Sequence, residues 1–304
     1  AAAAELFLTA PFNAEDKVKA AGSAEFAAKA GVAAIVEEDA VKAASAAARV
    51  VGMLPANNLA GPAVFDFEAP AAALNLVKYD AKSAAEAIAD AGSLTELYAG
   101  YGRNIYTALG SVNGQAVGIV ATAKGTLCHK CTAKAARFVR LCDAFSVPVI
   151  TIVDTEGFVP SATDDIAGGI REAARLAATY ADATTAKVAL LSGKAVGPVY
   201  TALANADLKI AVNGCTVSAL EPNAAVSVLY KAEIDASDNI IAATNAKAAQ
   251  YTAEVCSAAN AVAAGAADMT CDAANARASV VAAFELLSTK RAARLPKKHG
   301  NMAL

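Results

Sequence analysis

Short apolar runs and amphipathic helical patterns alternate along most of the chain. The segments VITIV (149–153) and VALL (188–191) are continuous apolar runs of strand length, as expected for strands buried on both faces. The segments 133–145 and 165–184 place apolar residues three and four positions apart, which is typical of an amphipathic helix. Strands that alternate with helices predict an α/β fold.

A β-hairpin gives the strongest local signal. Asn113-Gly114 lies in the middle of IYTALGSVNGQAVGIVATA (105–123), and this dipeptide favours the two-residue turn between antiparallel strands. Before the hairpin, Ser83 is predicted to cap a helix that ends at Ala91-Gly92. Further along, the same patterns predict a helix at 200–206, short strands at 208–212 and 216–220, and a long final helix at 272–294.

The first part of the chain has a different organisation. Residues 14–50 predict a helix, a short strand (GVAAIVEED, 31–39) and a second helix that starts among acidic residues. Pro, Asn and Gly then follow in quick succession in LPANNLAGPAVFDFEAP (54–70), which carries no helix or strand pattern. We therefore predict the end of one domain at 1–54, a linker at 55–78 and a second domain at 79–304.

Composition and charge narrow the classes of function. The 304 residues are 56% hydrophobic and 18% charged with a net charge of −3, so the chain lacks the basic face that nucleic acid requires. No apolar run approaches the ~18 residues of a membrane-spanning helix, and no secretory signal pattern opens the sequence. We expect a cytoplasmic protein that binds no nucleic acid.

Six cysteines are present, and a cytoplasmic protein keeps them reduced. The segment Cys128-His129-Lys130-Cys131 is the one CxxC pair, and zinc would need a second pair or further ligands at a workable spacing. We therefore expect no metal site, and we interpret His129 as a partly exposed loop residue.

The segment KVALLSGKAVGPVYTAL (187–203) carries the clearest functional signal. It predicts a buried strand, a glycine-containing turn and a helix that begins near Gly197-Pro198. Such a turn directs backbone N–H groups at one point, which is how proteins bind anions and developing oxyanions. Pro198 suits the first helical position but has no N–H to donate.

Several ordered motifs resemble the carboxyltransferase subunits of biotin-dependent acyl-CoA carboxylases and decarboxylases, such as the propionyl-CoA carboxylase β subunit. The resemblance also includes LPANNL, which is similar to the family's inter-domain linker. Its main motifs are YGRNI (Tyr101–Ile105), VNGQAVGIVA (Val112–Ala121), Lys134–Pro160, Gly168–Tyr200 and KKHGN (Lys297–Asn301).

The resemblance implies a fold of two crotonase-like domains, each a ββα spiral, with acyl-CoA held mainly by the first and carboxybiotin received by the second. Residues 1–54 are then the end of the first domain and 79–304 the second. The active site is expected between subunits of a hexameric ring. The expected partners are a biotin carboxyl carrier with either a biotin carboxylase or membrane decarboxylase subunits. Biotin on the carrier is the expected cofactor, and a short-chain acyl-CoA the expected substrate.

The resemblance also implies the reaction and its catalytic residues. A carboxyl group moves between carboxybiotin and the acyl-CoA, while backbone N–H groups stabilise negative charge on the biotin ureido oxygen and on the thioester enolate. The family's biotin-side oxyanion hole ends in Gly-Gly-Ala-Tyr, which corresponds here to Gly197, Pro198, Val199 and Tyr200. Pro198 therefore replaces a glycine whose N–H would be one of the two donors.

Other expected pocket residues also depart from the family pattern. Gly157 and Phe158 are retained, whereas Glu156 adds a negative charge beside a pocket meant for anions. Thr201 stands at a position that is often acidic in the family and lines the acyl pocket.

Two alternatives remain open on the sequence alone. The chain could be a catalytically impaired structural subunit paired with an active paralogue, which the substitutions at Pro198 and Glu156 would favour. It could instead be a crotonase-fold hydrolase or isomerase that uses no biotin, with Glu156 as its carboxylate.

Overall fold

The protein is represented by a computed structural model that describes residues 1–7, 22–57 and 60–292. These residues form strands β1 (Thr95–Glu96), β2 (Ile105–Val112), β3 (Gln115–Thr122), β4 (Thr126–Leu127), β5 (Val149–Val153), β6 (Gly157–Phe158), β7 (Lys187–Leu191), β8 (Lys194–Val196), β9 (Leu208–Val212), β10 (Thr216–Ser218) and β11 (Met269–Cys271). The α-helices are α1 (Ala24–Lys29), α2 (Ala40–Gly52), α3 (Ala81–Ile88), α4 (His129–Ala144), α5 (Ala162–Ile166), α6 (Gly169–Asp182), α7 (Pro198–Leu203), α8 (Pro222–Leu229), α9 (Lys231–Asp235), α10 (Ile240–Val255), α11 (Ala258–Ala263) and α12 (Ala276–Leu287).

A seven-stranded sheet in the order β1-β2-β3-β5-β7-β9-β11 forms the centre of the molecule. Strands β3, β5, β7, β9 and β11 run parallel, while β2 is antiparallel to both of its neighbours, β1 and β3. Two small parallel sheets, β4-β6 and β8-β10, stand apart from it. Strands β3, β5, β7 and β9 are each followed by a short strand and then by a helix, and this repeat is the crotonase-like ββα spiral expected from the resemblance.

Hydrophobic layers cover both faces of the main sheet. One face packs against α4, α6 and α7, and the other against α3 and α12. Helix α4 approaches β3 closely at Gly118, where an added Cβ would lie 2.4 Å from the Sγ of Cys142. A larger residue at 118 would force this helix off the sheet, because protein interiors are close-packed.

The strongest local predictions are confirmed. Asn113 and Gly114 form the hairpin turn with φ values of 52° and 79°, as the twist-matched turn of a two-residue hairpin requires. Strands β5 and β7 have every residue buried, in agreement with their continuous apolar sequences.

Helix ends were predicted less well. The cap of α3 is Asp80, whose side chain accepts hydrogen bonds from the N–H groups of Lys82 and Ser83, so the assignment of Ser83 as the cap is wrong. The helix predicted at 165–184 is divided into α5 and α6 at Gly168, which has a φ of 106°. The final helix is also shorter than predicted and ends at Leu287.

The strand predicted at 31–39 is wrong, since this segment forms neither strand nor helix. The linker segments 55–57 and 60–78 also lack regular structure, as predicted, although an isolated bridge joins Val64 to Gln115. The division into 1–54, 55–78 and 79–304 stays a prediction. The KKHGN motif at 297–301 lies outside the described residues.

Asp90 links three elements on one side of the fold. Its buried carboxylate accepts hydrogen bonds from the backbone N–H groups of Asn113 and Gly114 at 2.9 and 2.8 Å. It also forms an ion pair with Arg277 of α12 at 2.7 Å. The hairpin turn, the end of α3 and the start of α12 therefore share one buried charge.

Removing this charge should destabilise the fold strongly. We expect Asp90→Ala to lower the free energy of unfolding by about 3–5 kcal/mol, because it leaves a largely buried guanidinium and two backbone donors without their acceptor. Urea denaturation monitored by circular dichroism measures this loss.

Asp235→Ala is the matched control, since Asp235 forms an exposed ion pair with Lys231 at 2.9 Å in α9. Its cost should be about 0.5 kcal/mol or less. Equal losses in the two variants would show that Asp90 has no special structural role.

Candidate active site

The carboxylate of Asp154 connects the loop that follows β5 to the loop that follows β7. Its Oδ1 accepts a hydrogen bond from the N–H of Lys194 at 3.0 Å, while its own N–H donates to Oγ1 of Thr122 at 2.8 Å. The approach is so close that a Cβ added to Gly193 would lie 2.1 Å from the Asp154 carboxyl group. Because β5 and β7 are parallel neighbours, this contact fixes the relative positions of β6 and β8 beyond their carboxyl ends.

Glu156 does not present an uncompensated charge. Its carboxylate lies 2.7 Å from Nζ of Lys194, and both side chains are about half exposed. The next residue, Gly157, has a φ of 113° and open space where a Cβ would stand. Its N–H donates weakly, at 3.3 Å, to Oγ1 of Thr155.

The turn from β8 into α7 has few free backbone donors. The N–H of Gly197 donates to the carbonyl of Ser218 at 2.9 Å, and Gly197 has a φ of 60° that favours glycine. Pro198, at the first position of α7, has no N–H. Val199 is completely buried. The N–H of Gly197 thus already has an acceptor, Pro198 has no N–H, and the N–H of Val199 is covered by protein.

Tyr200 and Thr201 have different environments. The hydroxyl of Tyr200 donates to the carbonyl of Ala266, and its ring packs against the core. Thr201 is exposed, and its hydroxyl donates to the carbonyl of Gly197 at 3.1 Å.

One pocket unites three of the residues predicted from sequence. Phe158, Pro198 and Thr201 line a cavity of about 470 Å³ between β6, α5, α6 and α7. The other predicted residues, Glu156, Gly157, Gly197, Val199 and Tyr200, lie around it but do not form its wall. Most of the wall is apolar, including Ile170, with a few polar side chains, as in many small-molecule sites.

The polar side of this pocket contains a pair that the sequence did not reveal. His129 is the first residue of α4, so its interpretation as a loop residue is wrong. Its Nδ1 lies 2.5 Å from Oδ1 of Asp164 in α5, and both side chains contribute to the pocket wall. In the sequence, His129 stood out only as part of the CHKC segment. No sequence pattern linked it to Asp164.

The cysteines next to His129 are free thiols in this structure. The sulfur atoms of Cys128 and Cys131 are 3.1 Å apart. Burial raises the pKa of the Cys131 thiol to about 12, so it is protonated at neutral pH. Within residues 1–7, 22–57 and 60–292, no three His, Cys, Asp or Glu side chains group closely enough to hold a metal ion. Nor does that part of the chain contain a helix with the length and apolarity to cross a bilayer.

Known proteins with similar sequences are carboxyl-transferring enzymes. The α subunit of methylmalonyl-CoA decarboxylase from Propionigenium modestum is 33% identical over 225 residues, which are 71% of this chain and 44% of that protein. The methylmalonyl-CoA carboxyltransferase 12S subunit of Propionibacterium freudenreichii subsp. shermanii is 32% identical over 231 residues, 73% of this chain and 44% of that subunit. The aligned part of the chain therefore spans less than half the length of these relatives.

The fold has a close counterpart among solved structures. The crystal structure of transcarboxylase 12S, described as a hexamer assembly with methylmalonyl-coenzyme A and methylmalonic acid bound, superposes with a TM-score of 0.90. The sequences are 29% identical, and the match covers 99% of this chain and 62% of that one. The sequence model of the carboxyl transferase domain matches residues 12–302. The chain belongs to the carboxyl transferase family of biotin-dependent acyl-CoA carboxylases and transcarboxylases.

Proposed function

We propose that the chain takes part in moving a carboxyl group between carboxybiotin, attached to a carrier protein, and a short-chain acyl-CoA. In this proposal residues 79–304 form the domain that receives carboxybiotin, residues 55–78 the linker, and residues 1–54 the end of a domain that binds acyl-CoA. The active assembly is a hexameric ring of this chain, alone or with a paralogue. It works with a biotin carboxyl carrier and with either a biotin carboxylase or membrane decarboxylase subunits.

The observation that carries the proposal is the pocket formed by Phe158, Pro198 and Thr201. It lies where the chain retains the family's strand, turn and helix, and its 470 Å³ is within the usual range for small-molecule sites. Its apolar wall suits a ring system such as that of biotin. The nearby charge of Glu156 is balanced by Lys194, so it does not repel an anion strongly.

The chemistry requires donors for a developing negative charge. Carboxybiotin held beside Phe158, Pro198 and Thr201 would supply the carboxyl group, and its departure would leave a ureido oxygen that needs hydrogen-bond donors. The chain's part is to bind the ring, to exclude water with apolar side chains and to present N–H groups at this oxygen. Donors fixed in advance are effective because they need no reorientation during the step.

A second candidate function is supported by the backbone of the turn. Gly197 already donates its N–H to Ser218, Pro198 has none, and Val199 is buried. A subunit with so few free amides could serve as a structural partner that completes the ring beside an active paralogue.

A transfer assay tests the leading proposal. The purified native complex, with its biotinylated carrier, should move ¹⁴C-carboxyl groups from methylmalonyl-CoA or malonyl-CoA to the carrier. Avidin should abolish this transfer because it sequesters biotin. Absence of exchange with every acyl-CoA in a panel of short-chain substrates would refute the proposal for this chain.

Changing Pro198→Gly discriminates between the two candidates. Glycine restores an N–H at the first position of α7, and one added oxyanion donor should raise the transfer rate by at least about tenfold if the turn contacts the ureido oxygen. The rate of carboxyl transfer at saturating acyl-CoA is the measurement.

Pro222→Gly is the matched control, because Pro222 also occupies the start of a helix, α8, but lies outside the pocket. It should give no increase. A Pro198→Gly rate equal to that of the unchanged chain would favour the structural-subunit candidate.

A further inference from the structure

The His129–Asp164 pair lies in the wall of the pocket, and the carboxyl-transfer reaction proposed for the chain assigns it no role. Nδ1 of His129 lies 2.5 Å from Oδ1 of Asp164. The same carboxylate accepts the backbone N–H of His129, at 3.1 Å to Oδ2 and 3.3 Å to Oδ1. Two donors of His129, its backbone N–H and its ring Nδ1, contact this one carboxylate, which fixes both the start of α4 and the plane of the ring.

Asp164 is itself held in place. Its N–H donates to Oγ of Ser161, the cap of α5, at 3.1 Å. An added Cβ at Gly169 would lie 2.8 Å from Oδ2 of Asp164, so α6 closes over the carboxylate. The side chains of His129 and Asp164 are 25% and 11% exposed. The pair is therefore largely shielded, which strengthens its interaction relative to a surface pair.

Hydrogen bonding at Nδ1 determines what Nε2 can do. Nδ1 donates to the carboxylate, as in other histidines oriented by an acid. No group in the described part of the chain hydrogen-bonds to Nε2, and the ring contributes to the wall of the pocket. Nε2 is thus left for a molecule that enters the pocket.

We propose that His129 donates a hydrogen bond from Nε2 to the ureido oxygen of biotin in this pocket, and so supplies the donor that Pro198 cannot. The inference rests on the proposed function. A ring that donates from both nitrogens is an imidazolium, and Asp164 balances its charge. His129 is then a catalytic residue and Asp164 a positioning residue. The protein replaces a backbone donor by an ionised side chain.

Variants of His129 provide the first test, in the complete complex with its biotinylated carrier. His129→Ala should lower kcat about 100-fold, the usual cost of one oxyanion donor, and should change the KM for acyl-CoA far less. His129→Gln should lower kcat less, because its amide keeps a neutral donor.

Asp164→Asn tests the positioning role. It should lower kcat about 10-fold with little change in the KM for acyl-CoA, because the ring loses the carboxylate that fixes its plane. Asp235→Asn is the matched control, since it removes an equal charge outside the pocket and leaves the pair intact. It should keep the kcat of the unchanged chain.

A binding measurement gives a readout independent of activity. The chain has two histidines, His129 and His299, so ¹⁵N-histidine NMR resolves each ring, with His299→Gln assigning the signals. Adding biocytin, a biotin linked to lysine, should shift the Nε2 resonance of His129 towards the protonated value. The shift should be absent in Asp164→Asn.

The outcomes separate failure of this inference from failure of the proposed function. If the unchanged complex transfers carboxyl groups and the His129→Ala variant transfers them at a similar rate, the inference alone is overturned. If the unchanged complex transfers nothing, the proposed function fails, and an unchanged His129 resonance with biocytin would then reject the inference as well. A shifted resonance would still support a biotin contact.

Discussion

The contact between Asp154 and the turn at Gly193-Lys194 is the interaction on which the site depends. The loops that follow neighbouring parallel strands lie at the same edge of the sheet. They need a fixed separation to form a binding pocket. A buried carboxylate that accepts a backbone N–H at 3.0 Å provides this separation, because leaving either partner unsatisfied would be costly. The positions of β6, β8 and α7 relative to one another follow from this contact.

Backbone hydrogen bonds also explain why the turn from β8 into α7 leaves few N–H groups free for a ligand. Gly197 donates its N–H to Ser218 and so joins β8 to β10. A proline next to it costs α7 nothing structurally, since the first N–H of a helix has no internal acceptor. The cost falls on binding, where this N–H would be useful. A histidine whose ring and backbone N–H are both held by Asp164 approaches the rigidity of a backbone donor.

Local patterns predicted the main elements because those patterns are strong. The hairpin at Asn113-Gly114 and the buried strands β5 and β7 each depend on a few adjacent residues. The small strands β4 and β6 are two residues long, too short to leave a periodic signal. The break at Gly168 depends on a single positive φ within a continuous helical pattern. The apolar segment at 31–39 contributes Ala34 and Ile35 to the core without pairing with any strand.

The candidate site was predictable to the same extent. The turn at Gly197 and Pro198 was visible because strand, glycine and helix follow each other directly. Its pocket with Phe158 required the resemblance, since β6 and α7 are distant in sequence. The pair of His129 and Asp164 was not predictable, because it joins residues 35 positions apart through the pairing of β4 with β6. Nothing in either segment alone indicates the other.

The central claim is that a side chain, rather than the backbone, donates the hydrogen bond to the ureido oxygen of biotin in this member of the family. The most direct test is an experimental structure of the native complex with its biotinylated carrier, or with biocytin, in the pocket beside Pro198. Our account predicts the ureido oxygen within hydrogen-bond distance of Nε2 of His129, with Nδ1 still on Asp164. A ureido oxygen bound to the N–H of Val199, with His129 out of reach, would contradict it.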